Sequence, residues 1–273
     1  MVRYHGSAYR PVGPSRTRWR LLAMAVGLAL LSACVTARPD PVDRDGARRE
    51  RVLVTGATGG TGRRVVATLL QRGYRVRAIS RDPSRARGVL GPDVEILQAD
   101  LRERASLNAA VRGMSRIVSA AGAGTLDEAD PNGPRAVDFE GLRNLVEAAR
   151  GAKIRQIVLV SSQNVTDPDR YGMVPMRPLL RWKARGEDAL RSSGLVYTIV
   201  RPGQLLDGDG GREALAFAQG DTLKGPMTRG DLARVCVEAL GRDAAFMRTF
   251  EVASRKLPSQ NDFDALFGSL HAN

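Results

Sequence analysis

Gly56, Gly59 and Gly62 stand three apart in Thr55-Gly56-Ala57-Thr58-Gly59-Gly60-Thr61-Gly62. The apolar run Val52-Leu53-Val54 precedes them, and Val65, Val66, Leu69 and Leu70 follow at one-face helical spacing. A strand, a glycine turn and a helix in that order make a cradle for a diphosphate. Gly56 allows a sharp turn, Gly59 admits the backbone to a pyrophosphate without an intervening Cβ, and Gly62 lets the helix close on the strand. The helix start adds unpaired N–H groups and the positive end of its dipole. Thr58, Gly60 and Thr61 complete the expected cofactor loop. The spacing G-x-x-G-x-x-G differs from the commoner G-x-G-x-x-G, and a glycine turn of this kind also occurs for structural reasons alone. The context favours a dinucleotide. Beyond the second apolar run, where an acidic side chain would take a ribose 2′-OH, the chain carries Ser80-Arg81. An arginine suits a 2′-phosphate through a two-pronged, charge-assisted contact, with Arg63 and Arg85 nearby and Asp82 capping the next turn. The expectation is NADP in preference to NAD; the alternative is a solvated Arg81.

These residues need a frame to bring them together, and the rest of the chain supplies one. Strands are expected at Val52–Thr55, Arg75–Ser80, Val94–Gln98, Arg116–Ala120, Gln156–Val160, Val196–Val200 and Phe250–Ala253. Helices are expected at Gly62–Arg72, Ser106–Arg112, Val137–Arg150, Pro178–Ser192 and Thr228–Gly241, the last opening on the capping pair Thr228 and Asp231. Alternating strands and helices predict an α/β Rossmann-type fold, a doubly wound parallel sheet with right-handed crossovers. The ligand then lies at the carboxyl ends of the strands. Two irregular segments, 163–177 with Tyr171, Met173 and Met176 and 204–227 with Phe217, are expected on the substrate side. Their apolar residues either cover an acceptor or plug the core beneath long loops. Phe263, Leu266 and Phe267 have the spacing of a short helix on the body.

The chain has 273 residues and a formal net charge of +13, with Lys153, Lys183, Lys224 and Lys256 as its lysines. No aromatic residues interleave with a basic stripe, so the arginine excess reads as solvated helix faces, not a nucleic-acid surface. Two cysteines, Cys34 and Cys236, exclude a disulfide framework or zinc spacing. Cys236 lies in an apolar helical pattern and is expected in the core. The two histidines, His5 and His271, lie near the ends, which argues against a histidine-based centre or a metal site.

Arg16, Arg18 and Arg20 precede an uncharged run from Leu21 to Ala33, closing on Leu31-Ser32-Ala33-Cys34. A basic segment, a short apolar segment and a small-residue end describe a signal peptide. The tetrapeptide resembles a bacterial lipobox, which implies lipidation at Cys34 and a membrane anchor. The competing reading is an apolar tail on a cytoplasmic protein, favoured by the arginines that follow the run. The expected organisation is a signal peptide over 1–34, a tether over 35–50, a NAD(P)-binding domain over 51–254 and a C-terminal tail or helix over 255–273.

The glycine loop, with Ala99-Asp100-Leu101, Val137-Asp138-Phe139-Glu140-Gly141, Leu159-Val160-Ser161-Ser162, Arg181-Trp182-Lys183 and Tyr197-Thr198-Ile199-Val200-Arg201-Pro202-Gly203, resembles the short-chain dehydrogenase/reductase superfamily. The likeness is to its atypical NAD(P)H-binding branch, related to NmrA-like and flavin-reductase-like proteins, and it covers about residues 51–254. It implies Asp100 and Leu101 near the adenine, and Ala120, Ala121 and Gly122 along the cofactor. It also implies Ser161 and Ser162 by the nicotinamide and Lys183 on the nicotinamide ribose. Asp138 stands where many relatives carry an asparagine. Catalytic members use Tyr-x-x-x-Lys, the lysine lowering the tyrosine pKa for general acid/base work. Here Leu179 occupies the tyrosine place, and Pro175 occupies the lysine place relative to Tyr171.

Three functions follow from that departure. The first is an oxidoreductase passing hydride from NADPH to a small flavin-, quinone- or carbonyl-type acceptor, with the proton coming from water or Ser162 and with Ser162 and Lys183 as the candidate catalytic residues. The second is a non-catalytic NADPH-binding redox sensor or assembly factor. The third is a sugar-nucleotide epimerase-like enzyme.

Overall fold

The computed structural model describes residues 50–170, 173–259 and 261–272. The expected signal peptide, Cys34 and the tether up to residue 49 lie outside the described residues, as does Tyr171. The elements run β1 (Arg51–Thr55), α1 (Gly60–Gln71), β2 (Arg75–Ser80), α2 (Pro83–Leu90), β3 (Glu95–Gln98), α3 (Arg104–Val111) and β4 (Arg116–Ser119). A π-helical segment (Arg135–Gly141) leads into α4 (Leu142–Gly151), followed by β5 (Gln156–Val160), α5 (Arg177–Arg191) and β6 (Tyr197–Pro202). The chain closes with β7 (Leu205–Leu206), β8 (Glu213–Ala218), β9 (Met227–Thr228), α6 (Arg229–Glu238), β10 (Arg248–Pro258) and α7 (Phe263–Gly268).

Eight strands form one sheet in the order β3-β2-β1-β4-β5-β6-β10-β8, and β7 pairs with β9 separately. Every neighbour in the large sheet is parallel except β10 and β8. The crossover after β1 passes to β2 and the one after β3 returns to β4, so the chain reverses direction between β1 and β4. A crevice opens there, at the switch point of a doubly wound sheet.

The central strands are apolar on both sides, as a sheet covered by helices on both faces requires. Val52 and Val54 of β1 pack on the face with α1 and α6, and Leu53 on the face with α3 and α4. Val158 and Val160 against Ile157 and Leu159 repeat that alternation in β5. Each such side chain, fully buried, contributes about 1.5–3 kcal/mol. Cys236 is buried in the same core, and burial pushes its thiol up to about 12.

Several expectations are corrected. Segment 204–227 is not an open loop: it contains β7 and β8 and ends on β9. Phe217 lies in β8 and stacks on Phe250 at 4.6 Å with Phe267 edge-on at 5.2 Å, so it is a core aromatic and not part of an acceptor wall. The last strand runs to Pro258, past the expected boundary at 254, because it pairs along its length with β8. The short helix expected from Phe263, Leu266 and Phe267 is present as α7, and Phe267 is fully buried against the body. Asp82 does cap a helix: its carboxylate accepts the Arg85 N–H at 3.0 Å at the start of α2, an element not expected from the sequence. The expected Val137–Arg150 helix is wound as a π segment in its first turns.

Candidate functional site

Gly56 ends β1 with φ +66°, a left-handed backbone that glycine adopts without cost. A Cβ there would lie 2.6 Å from the carbonyl oxygen of Ala120 and the backbone nitrogen of Ala121. The turn thus lies directly against the end of β4. The Gly59 N–H donates to the Gly56 carbonyl at 3.0 Å, and a Cβ on Gly62 would lie 2.1 Å from that same oxygen. The helix can therefore come this close only with glycine at position 62. No side chain caps α1 and no acid stands in its first turn, which leaves its first N–H groups available to an anion.

A cleft of about 590 Å³ opens beside this loop, within the size of a cofactor site. Gly56, Thr58 and Gly59 form one wall, and Arg81, Asp100, Leu101, Ala121 and Gly122 line it from the ends of β2, β3 and β4. Arg85 lines it too, whereas Arg63 is exposed on α1 and is not among the lining residues. Gly60, Thr61 and Gly62 do not line the cleft. Thr61 is buried, Gly62 is the strand–helix contact, and Gly60 makes room for Arg229, whose Cδ would lie 2.8 Å from a Cβ at position 60.

Arg102, Gly124, Asn132 and Val137 also line the cleft, and the sequence reading missed them. For Arg102 a signal existed, since an aspartate two residues before an arginine can close a local turn. Asp100 accepts the Arg102 backbone N–H at 3.0 Å, and both its oxygens accept Arg102 Nε at 3.0 Å. The side-chain hydrogen bond from Arg102 holds the Asp100 carboxyl below the usual carboxylate range. The Arg102 guanidinium is raised by the same bond.

A recess of about 10 Å³, room for one water, adjoins the cleft toward β5. Ser161 and Lys183 line it, with Asp138 between the elements that carry them. Lys183 Nζ lies 2.7 Å from Asp138 Oδ1, and Asp138 Oδ2 accepts the Ala123 N–H at 3.0 Å. Asp138 projects from the π segment, a local winding often found at functional sites. A Cβ on Gly186 would lie 2.3 Å from the Asp138 carbonyl oxygen, so α5 is pressed onto that segment. This contact brings Lys183, one turn earlier, to the carboxylate. The Ser161 hydroxyl is buried without a hydrogen-bond partner among the described residues, an arrangement that costs about 1–3 kcal/mol unless a ligand or water fills it. Ser162 is half-buried beside it and lines neither cavity. Leu179 is half-buried in α5, and no tyrosine lines either cavity among the described residues.

Behind the recess lies a buried ionic node. Arg201 grips Glu187 with Nε at 3.0 Å and Nη2 at 2.6 Å, and Arg191 adds a contact to Glu187 at 2.6 Å. Arg201 Nη1 donates to Thr166 Oγ1 at 3.0 Å and lies 3.7 Å from Glu251. The node ties α5, β6, β10 and the segment after β5. The Arg-Pro-Gly signature at 201–203 therefore marks scaffolding.

The cradle, the open cleft and the orphaned hydroxyl fit a nicotinamide dinucleotide, and the comparisons agree. The profile of an NAD(P)H-binding protein family matches residues 56–243. The chloroplastic protein At2g37660 of Arabidopsis thaliana is 34% identical over 242 residues, 79% of this chain and 74% of its own. Sanguinarine reductase of Eschscholzia californica is 27% identical over 83% of this chain and 98% of its own. A solved putative NAD-dependent epimerase/dehydratase from Bacillus halodurans superposes with a TM-score of 0.68 at 29% identity, over 77% of this chain and 96% of that one. The chain belongs to the NAD(P)H-binding family of Rossmann-fold proteins.

Proposed function

We propose that this protein is an NADPH-dependent reductase that passes hydride to a small flavin-, quinone- or carbonyl-type acceptor without a tyrosine acid. The observation that carries the reading is the lysine–carboxylate pair beside an unpartnered serine hydroxyl, at the end of a nucleotide cleft edged by Arg81 and Arg85. The similarity to a plant reductase along most of both chains supports it. A bound nicotinamide would supply the hydride. The chain's own residues bind and orient: the α1 N-terminus takes the diphosphate, and Arg81 with Arg85 takes the 2′-phosphate. Lys183, held by Asp138, steadies the ribose, and Ser161 offers its hydroxyl to the carboxamide. Leu179 has no proton to give, so the acceptor takes its proton from water or Ser162.

The reading is tested by mixing NADPH with a panel of flavins, quinones and aldehydes. Turnover above background, lost in Lys183→Ala, is expected; its loss in Ser162→Ala as well makes Ser162 the proton source, and its retention there leaves water. Tight NADPH binding with no turnover on any acceptor would instead support a redox sensor or assembly factor, the reading that Leu179 favours. The missing tyrosine weighs against an epimerase-like activity. Arg81→Ala is expected to weaken NADPH binding about 10- to 100-fold, the range of a charged hydrogen bond, and to leave NADH binding unchanged. Equal losses for both in a calorimetric titration remove the NADP assignment.

The basic and apolar run ahead of Cys34 supports a second proposal, that the mature chain begins at a lipidated Cys34 and is membrane-anchored. The mass of the native, membrane-extracted protein tests it: loss of the first 33 residues with an added diacylglyceryl group is expected.

A further inference from the structure

Two guanidinium groups converge on one neutral atom at the rim of the cleft. Arg81 Nη1 donates to Asn132 Oδ1 at 2.5 Å, and Arg102 Nη1 reaches the same oxygen at 3.4 Å. Arg102 has its counter-charge in Asp100. Arg81 forms no close ion pair among the described residues; its hydrogen bond goes to a neutral amide, and the Asp100 carboxylate acts on it only from a distance. All three side chains line the cleft. A neutral oxygen between two cations holds the place of an anion's oxygen, and an anion competing for it gains from charge-assisted bonds roughly twice as strong as neutral ones.

Asn132 also anchors a lobe of chain. Its carbonyl accepts the Gly124 N–H at 3.0 Å, and its backbone N–H donates to Asp130 Oδ1 at 2.6 Å. From the far side of the lobe, Glu128 Oε2 accepts the Trp182 indole N–H at 2.9 Å. Trp182 lies on α5, one residue before Lys183. A change at Asn132 therefore has a direct route to an aromatic reporter.

We infer that Asn132 is a specificity latch: its amide oxygen holds Arg81 at the rim beside Arg102, which Asp100 and the Pro131 carbonyl hold in place, and a phosphomonoester on the 2′ position of the nucleotide displaces it. Arg81 then passes to the phosphate, with Arg102 beside it, and the Asn132 end of the lobe 124–132 shifts. The inference rests on the reading of the cleft as an NADPH site. It adds Asn132 and Arg102 to the residues that choose between phosphorylated and unphosphorylated cofactors.

The test uses the full chain with Trp19→Phe, which leaves Trp182 as its single tryptophan. Adenosine 2′,5′-bisphosphate and adenosine 5′-monophosphate are titrated by calorimetry and by tryptophan emission; neither absorbs where the indole emits. The bisphosphate is expected to shift the Trp182 emission, and the monophosphate to leave it unchanged at saturation. Asn132→Ala removes the competitor, so the bisphosphate binds about two- to tenfold tighter, the range of a lost neutral hydrogen bond, and the emission response disappears. Asn132→Asp puts a carboxylate between the arginines, so bisphosphate binding weakens more than tenfold while monophosphate binding holds. A purely structural Asn132 would move both variants the same way. The latch is overturned by equal emission changes with the two nucleotides, by no change at calorimetric saturation with the bisphosphate, or by an Asn132→Asp variant that binds like the parent. If neither nucleotide binds the parent chain, the cofactor reading falls and the latch falls with it.

Discussion

The sheet has two halves built on different physics. From β3 to β4 the functional surface is backbone: glycines at 56, 59 and 62 set the cradle, and a cleft of about 590 Å³ stands open beside it. Toward β5 the cavity narrows. The recess there holds about 10 Å³, and the node of Glu187, Arg191, Arg201 and Glu251 lies behind it. The first half is shaped by close backbone contacts that only glycine permits at positions 56 and 62. The second half is held by charged side chains that fix the position of α5 and β10.

The sharpest way to break the comparison is Glu187→Ala. Glu187 is fully buried and holds two arginines, so its removal leaves Arg201 buried without its carboxylate partner. A loss of about 3–5 kcal/mol in urea unfolding is expected. A loss under about 1 kcal/mol would mean that charge does not hold the second half together. Next comes Gly62→Ala, where the added methyl meets the Gly56 carbonyl at 2.1 Å. The helix must move back, at a cost of about 1–3 kcal/mol, and dinucleotide affinity should fall at least tenfold by calorimetry. Unchanged affinity would show that the cradle tolerates a wider turn. The smallest effect is Thr228→Ala, which removes the cap that accepts the Asp231 N–H at 3.0 Å. About 1 kcal/mol of stability is expected to go, with nucleotide affinity unchanged, since this cap lies outside the cleft.

The first half was largely legible from the residues in order. Strands β2 and β5 fall where β-branched and apolar runs end on turn residues, and the glycine spacing alone located the cleft. What escaped was set by distant partners. Strand β8, Glu-Ala-Leu-Ala-Phe-Ala, consists mostly of helix-favouring residues and becomes a strand because β10 offers it an antiparallel edge. Helix α2 buries a single residue, Ala86, so it has no apolar stripe to read. The pairing of Asp138 with Lys183 spans 45 positions and depends on Gly186 admitting the π segment. Asn132 sits in a loop with no periodicity, and its contacts exist only because Arg81 and Arg102 arrive from two other strand ends.

Among the contacts that cross between the halves, one lies directly beneath the glycine turn. The Arg229 side chain lies where a side chain at Gly60 would be, and its guanidinium is held by the Leu205 carbonyl at 3.1 Å and by Asp207. Arg64, from the same helix as Gly60, leans toward Asp207 and Asp209. Exchanging the 204–229 stretch for that of a relative would thus also replace the buttress beneath the glycine turn. A chimera of that kind is expected to change its nucleotide affinity, unless positions 60, 64, 207 and 229 travel as one set.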